Sequence, residues 1–447
     1  FLNSLKNKYP KYHHLKYENI TVNAKEVQAS LQPKTLLLEY FVTDSMTYLF
    51  AVSKTSIELF PINIKKQTLK ERIKTLRLAL SNYNLILKQS ELAGSLYTGS
   101  AYWFYKKMLS VALKDKTIDN LIVITDGELG HLPFEAFLME KIPQGKIDYA
   151  TLPYLINEYN ISYNYSATLW KENLESQALR KQVNTSNNNH QIFACAATYP
   201  TVDSSLLDLR LPNIFNLRTS LKPLPEAQRE IATLSEVFEG LFLTNDSTNE
   251  AFFKEHAHKY AVIHLAMHGI LHPRVPMLSS LAFTENKDSL EDNFLQAHEI
   301  AHLNLNADLV VLSACETGYG KFEQGEGVIS LARSFMYAGT PSLVVSLWQV
   351  NDQSTAHIMS YFYQNIADGL PKDVALRQAK LEYLKIAKDI AAHPAFWSAF
   401  IQLGDASSII ISRKKVYSPW TIGLGVLTVL ALGFLGFVRK GRKKERV

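Results

Sequence analysis

The sequence predicts an α/β fold: a mostly parallel sheet covered by helices, built in two successive blocks and followed by one C-terminal transmembrane helix. Three observations predict it. Apolar runs of strand length alternate with amphipathic helical periods along most of the chain, which is how strands buried on both faces read between covering helices. A polar stretch, Asn184-Thr-Ser-Asn-Asn-Asn-His190, interrupts that alternation with turn chemistry and no hydrophobic period, and so marks a boundary between the blocks. Finally, residues 416 to 438 read VYSPWTIGLGVLTVLALGFLGFV, with no ionisable group except the phenol of Tyr417.

The elements follow in chain order. Residues 1–34 are a connecting segment. In the first block, 35–183, TLLLEYFV (35–42) and MTYLFAV (46–52) form a hairpin, helical periods run across 67–113, and NLIVITD (120–126) is a buried strand. The second block, 190–410, is more regular. QIFACAA (191–197), AVIHLAM (261–267), ADLVVLSA (307–314) and PSLVVSLW (341–348) are strands, while PEAQREIATLSEVF (225–238), GVISLARSFMYAG (327–339), 353–367 and 372–388 are helices.

Composition bounds the function. Of 447 residues 47% are hydrophobic and 20% charged, with 19 glycines, 16 prolines and two cysteines, which excludes disordered, collagenous and disulfide-scaffold proteins. The formal charge of +5 is local: residues 439–447, RKGRKKERV, hold six basic groups and one acidic group. The rest of the chain is neutral, which argues against a broad basic face for nucleic acid. The 19 residues from Trp420 to Val438 make a helix of about 28 Å, long enough to span a bilayer. Its glycines, Gly423, Gly425, Gly433 and Gly436, lack the spacing of close-packed helix dimers. The basic tail outweighs Arg413, Lys414 and Lys415 on the other flank, so a single-pass protein with a cytoplasmic C-terminus and an extracytoplasmic body is expected. Export needs a signal that the chain, opening on Phe1, does not show; the expectation is the C-terminal part of a longer precursor.

Ligands and catalytic groups of such sheets gather at strand carboxyl ends. Two strands of the second block run there into reactive residues: AVIHLAM into His268-Gly269, and ADLVVLSA into Cys315-Glu316-Thr317-Gly318. A cysteine leaving a strand, with a histidine 47 positions upstream at another strand end, is the arrangement of caspase-like thiol proteases. An imidazole beside a thiol takes its proton, the thiolate attacks a carbonyl, and the imidazolium protonates the leaving amine. Backbone N–H groups of Gly269 and Cys315 are the candidates for binding the oxyanion.

The stretches VIHLAMHG, LVVLSACETG, GEGVISLARSFMYAGTPSLVVSLWQVND and PAFWSAFIQLGD resemble the CHAT peptidase family, relatives of caspases and separases often joined to tetratricopeptide repeats. LLLEYFV, LIVITDGELGHLPFEAFL and LPEAQREI are similar too, so the resemblance covers roughly residues 35 to 405. It implies His268 as general base and acid, Cys315 as nucleophile, a caspase/separase-like sheet, and a first block that is a degenerate, non-catalytic protease-like half. It further implies a protein or peptide substrate and a regulatory protein partner, with no cofactor. No 34-residue period survives here, in keeping with repeats upstream.

Competing readings attach to several of these residues. Cys195, inside IFACAA, reads as a buried structural thiol, and a disulfide with Cys315 is not expected. His264, His268 and His272 recur every four residues, but Val262 and Ile263 favour a strand while Gly269 and Pro273 break a helix, so a zinc site is not expected and His264 is a core residue. Asp352, in LWQVND, leaves a strand at the same end of the sheet and resembles the separase aspartate that receives a basic residue before the scissile bond; Asn351 or Asp352 equally suits a helix N-cap. Glu316 and Phe322-Glu-Gln-Gly-Glu-Gly327 shape the loop beside the thiol, and two glutamates there oppose phosphate. Asp126-Gly-Glu-Leu-Gly130 reads as a structural turn. The rival to a cysteine endopeptidase is a non-catalytic module of the same fold that binds a protein partner.

Overall fold

Among the described residues, runs of β-branched and aromatic residues that are too short for helices pair into sixteen strands. A computed structural model describes residues 21–115, 117–183, 191–199, 221–272, 274–286, 291–313, 321–323, 327–329 and 331–414. In chain order the strands are β1 (Thr35–Val42), β2 (Thr47–Ser53), β3 (Ile57–Ile62), β4 (Asn120–Ile124), β5 (Asn160–Asn164), β6 (Ile192–Ala196), β7 (Gly240–Thr244) and β8 (Val262–Ala266). There follow β9 (Gly269–Ile270), β10 (Ser280–Ala282), β11 (Phe294–Gln296), β12 (Leu309–Leu312), β13 (Lys321–Glu323), β14 (Gly327–Ile329), β15 (Ser342–Ser346) and β16 (Phe400–Gly404).

Eleven of them form one sheet in the order β3-β2-β1-β4-β5-β16-β15-β12-β8-β6-β7. β2 runs antiparallel to β1 and β3, and β16 runs antiparallel to β15; the other neighbours are parallel. The direction therefore reverses once in mid-sheet. Strands β1, β4, β5 and β16 point one way, and β15, β12, β8, β6 and β7 point the other, so the carboxyl ends of the two blocks lie on opposite edges of the same sheet. Gly404 ends β16 at φ +90, where an added Cβ would stand 2.2 Å from the Pro341 carbonyl oxygen. Only glycine fits that close approach, which closes the antiparallel pair at its rim.

Strands from both blocks contribute to one apolar core. Across the seam the Tyr154 and Trp397 rings meet edge to face at 4.9 Å. Buried charges cross it too. Lys380 Nζ lies 3.0 Å from Glu135 Oε1, and Glu135 Oε2 accepts the Tyr163 hydroxyl at 2.5 Å. Arg77 donates to the carbonyls of His131 and Leu347, and Arg377 to those of Ile156 and Asn157. Burial of a charge on this scale requires partners, and each of these has them.

The predicted hairpin 35–52 and the strand at 120–124 are present, and the helical period over 67–113 is broken into Lys66–Ser81, Tyr83–Lys88, Ser90–Phe104 and a π-helical turn, Tyr105–Leu109. One expectation is corrected. Residues 327–339 were predicted as a single helix, but Gly327–Ile329 pairs as a strand with Lys321–Glu323 and the helix covers only Leu331–Tyr337. Val328 and Ile329 are β-branched and follow a glycine, which disfavours a helical start there. The boundary stretch 184–190 lies outside the described residues, as do the predicted span at 416–438 and the tail at 439–447. Among the described residues no helix is long and apolar enough to cross a membrane.

Candidate active site

At the carboxyl edge of the second block, β8 and β12 are hydrogen-bonded neighbours with Leu265 opposite Leu312. The Ser313 N–H continues the ladder by donating to the Leu265 carbonyl at 3.0 Å. His268 stands three positions past Leu265, and Cys315 stands three positions past Leu312. Cys315 itself, with Glu316, lies outside the described residues.

His268 is 8% exposed and held from several sides. Its N–H donates to the Tyr199 hydroxyl at 2.9 Å, and that hydroxyl donates to the Ala282 carbonyl at 2.6 Å. The Tyr199 ring packs on the imidazole at 4.7 Å between centroids. Nε2 lies 2.8 Å from the Lys222 carbonyl oxygen. A carbonyl only accepts, so Nε2 carries the proton of the neutral ring and Nδ1 carries the lone pair. The imidazole is thus fixed in the tautomer in which Nδ1 is the basic nitrogen.

Gly269 opens β9 opposite Leu281 of β10, and the Ala282 N–H donates to the His268 carbonyl at 2.9 Å. This bond flanks Gly269 and Leu281 as the wide, non-hydrogen-bonded pair, so the Gly269 N–H points away from β10. Asp352 is the first residue of the helix Asp352–Ala367, which follows β15; the N-cap is Asn351, whose Oδ1 accepts the Ser354 N–H at 3.2 Å.

Earlier on β8 lies a buried layer of polar groups that the sequence pattern did not expose. His264 on β8 is fully buried. Its Nδ1 is 2.8 Å from the Tyr363 hydroxyl, and its Nε2 is 3.0 Å from Glu230 Oε1. Burial, and secondarily the Glu230 carboxylate, hold the Tyr363 phenol well above its ordinary pKa. The phenol therefore keeps its proton and donates it to Nδ1, while Nε2, although 3.0 Å from Glu230 Oε1, makes no hydrogen bond among the described residues. Glu230 Oε2 in turn accepts the Ser313 hydroxyl at 3.3 Å, two residues before Cys315. His264 is a core residue, as expected, with Nδ1 hydrogen-bonded to Tyr363 and Nε2 without a hydrogen bond among the described residues. Glu230 sits in LPEAQREI, where its buried position on the helix Pro225–Val237 was the available signal; Tyr199 leaves β6 at the same edge of the sheet, the location where reactive residues were sought.

The remaining candidates have structural roles. Cys195 is a free, fully buried thiol, and burial pushes it well above its ordinary pKa, which leaves it without nucleophilic thiolate. His272 Nδ1 accepts the Val275 N–H at 2.9 Å in a turn. Asp126 Oδ2 accepts the Val42 N–H at 2.7 Å and Gly127 takes φ +62, tying the ends of β1 and β4. The carboxylates Glu250, Glu291 and Glu299 converge closely enough to suit a cation, but the Lys254 ammonium already stands 2.7 to 2.8 Å from each.

Comparison with known proteins identifies the body of the chain. Human tetratricopeptide repeat protein 28 is 32% identical over 132 residues, covering 29% of this chain and 5% of that protein; the mouse protein is 29% identical over the same length and shares. The chain thus spans a small part of these relatives. Among solved structures, the Saccharomyces cerevisiae separase in complex with securin aligns over 90% of this chain and 32% of that one, at 8% identity and a TM-score of 0.48. The Arg-specific cysteine proteinase gingipain R aligns over 70% of this chain and 68% of that one, at 11% identity and a TM-score of 0.41. The CHAT domain family matches residues 98–405, which takes in the reversal of the sheet and both strands of the candidate site, and the chain belongs to that family.

Proposed function

We propose that the chain is a cysteine endopeptidase in which His268 and Cys315 act as a dyad. The observation that carries the reading is the pairing of β8 with β12 in a register that sets His268 and Cys315 equally far beyond Leu265 and Leu312. The ring of His268 is already oriented by the Lys222 carbonyl, the third-member role that a base needs. Nδ1 removes the proton of the Cys315 thiol, and the thiolate adds to the carbonyl carbon of the scissile peptide bond. The N–H groups of Gly269 and Cys315 receive the oxyanion. On collapse the carbon–nitrogen bond breaks, the imidazolium gives its proton to the departing amine, and the acyl group stays on sulfur. Water, deprotonated by the same imidazole, then releases the acid. Asp352 favours a basic residue before the cut through a charge-assisted contact. The segment 416–438 anchors the body to a membrane with the basic tail on the cytoplasmic side.

A second reading, a non-catalytic module that binds a protein partner, draws on the near-complete burial of His268 beneath Tyr199. A peptidyl acyloxymethyl ketone with arginine next to the warhead separates the two. Covalent labelling mapped to Cys315 by mass spectrometry and lost in His268→Ala is the expected result. Equal labelling in His268→Ala means an incidental thiol and overturns the dyad. Loss of the arginine preference in Asp352→Ala, with labelling retained, assigns the specificity pocket.

A further inference from the structure

The registers of the first block lay out the face of the sheet that turns away from Tyr40. Leu59, Phe50, Glu39, Ile124 and Asn164 are successive partners across β3, β2, β1, β4 and β5, so their side chains form one row on one face. On the same face, Ile57, Val52, Leu37 and Ile122 make the row on one side of it, and Phe41 with Tyr48 belongs to the row on the other. Part of this face is covered. The helices Ala24–Ser30 and Ala167–Val183 bring Val27, Ala167 and Trp170 onto Leu37, Ile122 and Ile124 in a small core of their own. The cover reaches Val52 on β2 and ends there.

Beyond Val52 and Glu39 the face is bare. Phe50 is 39% exposed, Ile57 43%, Leu59 52% and Phe41 56%, and four large apolar side chains at neighbouring positions are a patch rather than scattered exposure. Glu39 is the only carboxylate in these rows; burial raises its pKa, and no ion pair offsets that among the described residues. Lateral pairing is not what the patch invites, because Pro61 on the edge strand β3 offers no N–H to a further strand. Chain outside the described residues is delivered to this face. Val22 packs against the same small core, and its N–H donates to Thr168 Oγ1 at 3.2 Å, so residues 1–20, which lie outside the described residues, join the fold here. Their sequence, FLNSLKNKYPKYHHLKYENI, holds eight large apolar or aromatic residues and four lysines against one glutamate. Reach is ample: even as a helix such a segment extends about 30 Å, and about 14 Å separates β4 from β3.

We propose that residues 1–20 dock on the bare face of β2 and β3, laying apolar and aromatic side chains over Phe41, Phe50 and Leu59 and bringing a lysine to Glu39. Apolar burial supplies the attraction and the opposite charges set the register. The segment that precedes the first helix is then a covering layer of the first block rather than a bare connection. The inference does not rest on the peptidase reading.

Photocrosslinking of the full chain tests it. With p-benzoylphenylalanine in place of Leu59, irradiation should join that position to a residue within 1–20, at a yield well above that of the same probe in place of Leu87, which is equally exposed on the helix Tyr83–Lys88. In a mixture of nitrogen-15-labelled and unlabelled chains, each crosslinked peptide pair should carry one isotope only. Mixed-isotope pairs mean that a second copy occupies the face and overturn the proposal, as does a yield no higher than at Leu87. Replacing Lys6, Lys8, Lys11 and Lys16 together by Glu should cut the yield about threefold or more, since like charge then meets Glu39. An unchanged yield in that variant removes the charge match that selects this segment and overturns the proposal too.

Discussion

The two carboxyl edges of this sheet are built from the same kinds of strands and carry different chemistry. At the β8/β12 edge a basic nitrogen is prepared: the Lys222 carbonyl fixes the His268 tautomer, and Glu230, His264 and Tyr363 are buried together in the same block. At the β1/β4/β5 edge the strand ends are used structurally: Asp126 Oδ2 takes the Val42 N–H and ties β1 to β4. One edge therefore holds a tautomer-fixed imidazole and the other braces its own strands. The reversal at β16 keeps the two on opposite rims. What a strand end does is set by the residue that leaves it, not by the sheet.

The largest expected effect tests the base at the β8/β12 edge. His268→Ala should lower peptide hydrolysis or Cys315 labelling by about 10³-fold or more, the cost of losing the base of a nucleophile–base pair. Undiminished labelling in a folded His268→Ala chain would remove the prepared base from this edge and break the contrast.

The seam between the blocks gives the next effect. Lys380 and Glu135 are each nearly inaccessible to solvent, and burial lowers the lysine pKa while the carboxylate opposes that shift. Replacing Lys380 by Met leaves Glu135 buried with only the Tyr163 hydroxyl, which should cost about 3–5 kcal/mol in urea unfolding. The double variant Glu135→Leu/Lys380→Met should recover part of that loss, since it removes the stranded charge. Additive losses in the double-mutant cycle would mean that the pair is not a unit.

How much of this was readable in the sequence depends on whether a feature is local. The run NLIVI is apolar and β-branched throughout, and β4 is buried over nearly its whole length; a strand of that kind declares itself. His268 lies two residues past the end of β8, so its place at that strand end followed from chain order alone, whereas Cys315 lies outside the described residues. Gly327–Ile329 misled because its apolar residues continue the period of the helix behind it, and its pairing with Lys321–Glu323 is settled by a partner in the other strand. β16 escaped for a related reason: FIQLG is too short and mixed to signal a strand, and its direction is fixed by two neighbours, 54 and 240 residues away at Ser346–Phe400 and Tyr163–Leu403. Glu230, His264 and Tyr363 come from a helix, a strand and a second helix, and nothing in their spacing announces that they meet. The Glu39–Ile124–Asn164 row is of the same kind, legible only once two registers are known.

A pH effect sharpens the contrast at the seam. His393 is fully buried against the Tyr97 and Tyr149 rings, and its Nδ1 accepts the Ala395 N–H at 3.1 Å. Burial lowers its pKa to about 3. The folded state therefore holds the neutral ring while the unfolded chain takes up a proton near pH 6.5. Stability from this group is complete above pH 6.5 and falls as pH drops toward 3, at up to about 1.4 kcal/mol per pH unit. Urea titrations at pH 7 and pH 5 should differ by about 2 kcal/mol from this residue. His393→Asn, which keeps an acceptor for the Ala395 N–H and does not titrate, should flatten that slope; an unchanged slope would assign it to other groups.

The smallest expected effect returns to the β8/β12 edge and asks how the imidazole is held. The Tyr199 hydroxyl accepts the His268 N–H and donates to the Ala282 carbonyl. Tyr199→Phe keeps the ring that packs on the imidazole and removes only the oxygen, so a buried N–H loses its partner at a cost of about 1–3 kcal/mol. If the ring contact and the Lys222 carbonyl are what aim Nδ1, the hydrolysis rate should fall by no more than about tenfold, since one hydrogen bond near 1 kcal/mol is all that is withdrawn. KM should hold, because Tyr199 is assigned no substrate contact, and the pH at which the rate is half-maximal should stay where it was, because the Lys222 carbonyl still fixes the tautomer. A shift of that pH midpoint would move the orienting role from the Lys222 carbonyl to the Tyr199 hydroxyl, and with it the reason this edge, rather than the other, carries a prepared base.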